Sequence, residues 1–86
     1  MLFPGLPESE RIRLLEAPVG RVRMVLDSDT YNEIDDQFAL CYALAAKDKL
    51  EIEAVYAAPF HNNRSDSAGD GMEKSYTEIE KILSLF

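Results

Sequence analysis

An α/β fold with parallel strands is what this 86-residue chain predicts, and three observations carry that prediction. Two short segments, RVRMVL and LEIEAVYAA, begin by alternating polar with apolar residues and end apolar, as strands do when they run into a sheet. Between them, apolar residues recur at helical spacing. Strands separated by a helix of that length pair in parallel through a crossover connection.

In chain order, residues 7–16 (PESERIRLLE) read as a short helix. Pro7 suits its first position, Ile12 and Leu15 lie on one side, and Ala17, Pro18 and Gly20 close it. Residues 21–26 form the first strand, in which Arg21, Arg23 and Val25 alternate with Val22, Met24 and Leu26. After a loop over residues 30–33, Ile34, Phe38, Cys41 and Ala45 step by four, three and four, and Leu40 and Leu44 widen the stripe. Lys47 and Lys49 suit the negative end of that helix. Residues 50–58 form the second strand, which Pro59 ends. Residues 60–71 (FHNNRSDSAGDG) are loop by composition.

Asp70, with Glu73 three positions later, opens a last helix whose face is Met72, Tyr76, Ile79, Leu83 and Phe86. The order is helix, β, α, β, α. Residues 1–20 make an N-terminal extension and residues 21–86 a partial α/β domain. Two strands do not make a covered parallel sheet, so further βα units are expected. A helical pattern running uncapped to Phe86 adds the expectation of a truncated domain.

Composition narrows the function classes. At 47% apolar residues, wholesale disorder is excluded. Sixteen acidic against nine basic residues give a formal charge of −7, which argues against sequence-independent nucleic-acid binding and suits a protein that holds cations. Cys41 is the only cysteine, so no internal disulfide forms; a reducing, cytoplasmic setting is expected, with Cys41 as a small buried hydrophobe. No stretch approaches the ~20 apolar residues that span a bilayer, and residues 1–7 lack the basic and apolar regions of a secretory signal.

The chemistry concentrates in one segment. Asp27, Asp29, Glu33, Asp35 and Asp36 lie within ten residues that contain no Lys or Arg, at the carboxyl end of the first strand, where parallel α/β sheets place ligands. Two carboxylates ~5 Å apart at an effective dielectric of ~20 repel by roughly 3 kcal/mol. A helix N-terminus offsets one such charge, by up to ~1–2 kcal/mol, but hardly four. A hard divalent ion with oxygen ligands answers the rest. The bland alternative is capping, with Asp35 as N-cap and Asp36 in the first turn. Two cation or phosphate motifs fail: an EF-hand loop needs Gly where Asn32 stands and Glu where Phe38 stands, and the D-x-D-x-T/V phosphatase pattern meets Tyr31.

The segment VLDSDTYNEIDDQFAL (residues 25–40) resembles the N-terminal signature of the inosine/uridine-preferring nucleoside hydrolases, and EAVYAAPFHN (residues 53–62) resembles their second strand. The resemblance covers roughly residues 21–86. It implies the N-terminal βαβα portion of a mostly parallel, Rossmann-like sheet and a hydrolase that cleaves the N-glycosidic bond of ribonucleosides with Ca²⁺. By position, it makes Asp29 a metal ligand and the general base for the attacking water, Asp36 the second metal ligand, Asp35 and Asn62 substrate contacts, and Asp27 a supporting acid. It also implies a homo-oligomer. The family's D-x-D to D-D loop usually has three residues, whereas five stand here (residues 30–34), which resembles one branch of the family. His61, Arg64 and Tyr31 read as loop residues of no assigned role. The chemistry agrees: a metal lowers the pKa of a bound water, and carboxylates favour an oxocarbenium-like centre. The contrasting expectation is a non-catalytic, acidic cation-binding or interaction module.

Overall fold

Pairing of the two strands organises the chain. A computed structural model describes residues 5–86, with α1 at Glu8–Leu15, β1 at Val22–Ser28, α2 at Ile34–Ala45, β2 at Leu50–Ala57 and α3 at Ala68–Leu83. β1 and β2 pair in parallel, as expected, in register from Val22 opposite Leu50 to Ser28 opposite Ala57. The register shifts once, between Met24 and Val25, leaving Glu53 as an extra residue on β2. On the near side of the shift Leu50 and Ile52 share a face with Val22 and Met24; beyond it Val55 and Ala57 share that face with Leu26 and Ser28. A bulge therefore joins two apolar phases that a regular strand would put on opposite faces.

Only that face is covered. Leu40, Ile79 and Ile82 form the buried centre, and Leu26, Cys41, Leu44, Val55 and Ala57 pack against it. The other face presents Arg23, Val25, Asp27, Glu51 and Tyr56 to solvent. Val25 is thus exposed although the strand turns apolar there, because the full burial expected of a parallel strand needs a second helical layer. The shortest dimension of 18 Å holds one sheet and one helical layer. The radius of gyration is 16.7 Å, against about 12 Å for a compact domain of this length.

Three element-level expectations change. In α2 the core-facing positions are Asp36, Leu40 and Ala43, while Ile34, Phe38 and Ala45 of the expected stripe face outward. Small Ala43 lets the helix approach its neighbours more closely than the bulkier residues would. In α3 the buried face is Gly71, Ser75, Ile79 and Ile82, one residue round from the expected Met72, Tyr76 and Leu83 stripe. Gly71 and Ser75 carry no apolar signal, yet only small side chains fit there: a Cβ on Gly71 would lie 2.0 Å from the Phe60 carbonyl oxygen. α3 also begins earlier than Asp70 and ends at Leu83. Ser67 is its N-cap, its Oγ accepting from the Asp70 N–H at 3.0 Å. At its other end Ser84 Oγ donates to the Lys81 carbonyl at 2.6 Å, so the helical pattern does not continue through Phe86.

α1 has the expected extent, with Pro7 as N-cap rather than first residue, but it buries no side chain. Ile12 and Leu15 meet water. Two i,i+3 ion pairs, Arg11 with Glu8 and Arg13 with Glu10, decorate its surface. The Arg13 guanidinium holds the Glu10 carboxyl below its ordinary range.

Candidate functional site

Strand alternation decides where each acidic residue of the D-S-D-T segment goes. β1 extends to Ser28, two residues past the expected end, and the Ala58 N–H donates to the Ser28 carbonyl at 2.8 Å, carrying the pairing to the rim. Ser28 is in phase with Val22, Met24 and Leu26, so its hydroxyl turns inward and is buried. Asp27, one residue earlier, turns to the open face and is exposed.

The loop after the strand is tied twice to itself. The Asn32 N–H donates to the Asp29 carbonyl at 2.8 Å, and Asn32 Nδ2 donates to Asp29 Oδ2 at 2.9 Å. Thr30 is fully buried, its Oγ1 lying 2.7 Å from Ser28 Oγ. Glu33 then takes the N-cap position of α2 with no side-chain cap, so neither Asp35 nor Asp36 serves as the N-cap. Asp36 lies on the core-facing stripe of α2, and its Oδ2 accepts from Ser28 Oγ at 2.6 Å. Its carboxylate is a partly buried hydrogen-bond acceptor for a hydroxyl pair that the apolar periodicity does not reveal.

The loop after β2 completes the rim. Asn62 Nδ2 donates to Asn32 Oδ1 at 2.6 Å, and its own Oδ1 accepts from the Arg64 N–H at 2.8 Å. Ser65 Oγ receives the Asn62 N–H at 3.2 Å and donates to the Phe60 carbonyl at 2.9 Å. Tyr31 stacks on Phe60 with ring centroids 6.4 Å apart, and its N–H donates to the buried Ser75 Oγ at 3.2 Å. These contacts join both rim loops to α3, as does the Gln37 Nε2 to Glu78 Oε1 bond of 2.7 Å between α2 and α3.

Of the residues singled out in the sequence, Asp29 and Asn62 are therefore linked through Asn32, and Asp36 is linked to the end of β1 through Ser28. Asp35 is exposed at the first turn of α2, and Asp27 stands apart on the open face. Among the described residues, no three His, Cys, Asp or Glu side chains converge as a metal-holding group. Asp29 and Asp36 each keep one oxygen, Oδ1, without a protein donor among the described residues. Those two hard oxygens suit Ca²⁺ or Mg²⁺ by type, but they supply two of the six or more ligands such ions take. A shallow hollow beside the rim is lined by Tyr31, Glu33, Ile34, Gln37, Arg64 and Glu78, and none of the five designated residues lines it.

Sequence reasoning singled out Asn32, with Glu33, as a loop residue able to add contacts, and overlooked Ser28, Thr30 and Ser75. Ser28 has a legible signal, its even phase in β1. Thr30 and Ser75 act through loop and helix packing that no periodicity marks. No helix among the described residues is long and apolar enough to cross a membrane. No protein-family model matches the chain, and neither the curated proteins nor the solved structures contain a match to it.

Proposed function

We propose that this chain forms the N-terminal βαβα portion of a nucleoside N-ribohydrolase site, holding a divalent cation, Ca²⁺ by preference, with Asp29 and Asp36. The observation that carries the reading is the bridge Asp29–Asn32–Asn62. It gathers the D-x-D strand end and the Asn of the second strand's loop at the carboxyl rim of a parallel βαβ unit. Asp29 would ligate the ion and take a proton from the attacking water, Asp36 would be the second carboxylate ligand, and Asp35 and Asn62 would contact the ribose. Asp27, which points to the open face, would act only indirectly, by supporting the strand end that carries Asp29. The ion, when bound, supplies an acidified water. Two protein carboxylates leave most of the coordination shell to other groups, so these residues act as a portion of the site. The substrate is a small ribonucleoside, and the setting is cytoplasmic.

Calcium titration calorimetry tests the metal assignment. Asp29→Ala and Asp36→Ala are each expected to weaken Ca²⁺ binding by about tenfold or more, and unchanged affinity in both would remove the assignment. The 86 residues alone are expected to release little base from a ribonucleoside; substantial turnover would contradict the partial-site reading. A second reading, a non-catalytic acidic cation-binding or interaction module, is favoured by the divergence of Asp27 and Asp35 from the Asp29–Asp36 rim. Cation binding without nucleoside binding distinguishes it.

A further inference from the structure

Asp29 stands between two buried hydroxyl residues. Ser28 before it is 5% exposed and Thr30 after it is fully buried, whereas Asp29 itself is half-buried. Ser28 Oγ and Thr30 Oγ1 lie 2.7 Å apart, so one contact anchors the chain on both sides of Asp29. The same Ser28 Oγ donates to Asp36 Oδ2 at 2.6 Å, joining the end of β1 to the first turn of α2. A hydroxyl has one proton to give, and a carboxylate oxygen only accepts. With the Ser28 proton directed at Asp36, the Thr30 hydroxyl is the donor to Ser28 Oγ. The hydrogen bonds run one way, from Thr30 to Ser28 to Asp36, and each strengthens the next. They commit Oδ2 of Asp36, as Asn32 commits Oδ2 of Asp29, and leave one Oδ1 on each residue.

We propose that Ser28 and Thr30 are positioning residues, whose hydroxyl pair sets Asp29 and Asp36 relative to one another and so fixes the two oxygens offered to a divalent cation. This rests on the reading of those two carboxylates as metal ligands. Neither hydroxyl touches the ion; each acts through a ligand. Hydrogen-bond partners of that kind orient metal ligands, and losing one weakens metal binding by about 10–100-fold. Core packing alone does not call for this pair, because two apolar groups of the same shape would fill the space with no hydrogen bond to satisfy.

Ca²⁺ titration of the full 86-residue chain, followed through the Asp29 and Asp36 amide resonances, is the test. Thr30→Val keeps the branched shape and removes the hydroxyl, and is expected to weaken Ca²⁺ binding by about tenfold. Ser28→Ala breaks both contacts and should weaken it further. Thr30→Ser restores the donor and should bind as the natural chain does. Ile79→Val trims the core and should lower the urea midpoint with Ca²⁺ affinity unchanged, which separates positioning from a general loss of stability. In the natural chain without calcium, the Thr30 hydroxyl proton should exchange slowly with water, a measurement that needs no variant to fold.

Failure takes two distinguishable forms. If Asp36→Ala binds Ca²⁺ as well as the natural chain, or neither binds it, the ligand assignment falls and this inference with it. If Asp36→Ala loses the ion while Thr30→Val keeps it, the inference alone falls. It falls equally if Thr30→Ser does not restore binding or the Thr30 hydroxyl exchanges freely.

Discussion

Gly71 shows how far one residue constrains this fold. Helix propensity alone assigns Gly71→Ala a gain of ~1 kcal/mol, but the new methyl would press on the Phe60 carbonyl oxygen, carbon and ring. Backbone cannot swing aside as a side-chain tip does, so the substitution is expected to destabilise by about 1–3 kcal/mol in urea unfolding. Gly69→Ala, two residues earlier, meets only Ser67 Oγ at 3.9 Å and should be neutral or stabilising by up to ~1 kcal/mol. If both variants behave alike, the close approach of α3 to Phe60 is wrong. Asp70, beside this contact, has its carboxyl held below the usual range, first by the Asp66 N–H and then by Lys74. A carboxylate with a lower pKa folded than unfolded stabilises fully above the unfolded value and loses that contribution as pH falls through the folded one. The stability difference between the natural chain and Asp70→Asn should therefore shrink as pH drops below about 4. A pH-independent difference in unfolding midpoint would rule out the linkage.

At the level of elements, α1 stands apart. It is held by its own backbone and two exposed ion pairs, and buries nothing. Replacing Ile12 and Leu15 together with Ser should shift chemical unfolding by no more than about 0.5 kcal/mol; a larger loss would mean that α1 packs on the domain. Its extent was legible from Pro7 and the terminating Pro18 and Gly20. So were both strands and their parallel pairing, from alternation and the intervening helix. The inward faces of α2 and α3 were not. Apolar periodicity weights large hydrophobes, whereas the core positions here include Asp36, Ala43, Gly71 and Ser75, chosen for hydrogen bonding or close approach. For the same reason the acidic rim was legible as a cluster, while the hydroxyls and amides that connect Asp36 to Ser28 and Asp29 to Asn62 were not.

Across the whole molecule, one helical layer covers one face of a two-stranded sheet, and the core is correspondingly small. The carboxylates that looked crowded in sequence are dispersed by that architecture: Asp27 to the open face, Asp35 to solvent, Asp36 to a hydroxyl pair and Asp29 to an amide. The bulge at Glu53 has a reach beyond the strand that contains it. The surplus residue is taken up against a single step of β1, so each later residue of β2 faces its partner one position behind a regular ladder, with its side chain on the opposite face. That offset is why Ala57 lies opposite Ser28 and the Ala58 N–H, not that of Ala57, meets the Ser28 carbonyl at the rim. Glu53, far from the acidic rim, thus decides which residue of β2 arrives there and from which residue the loop to Asn62 departs.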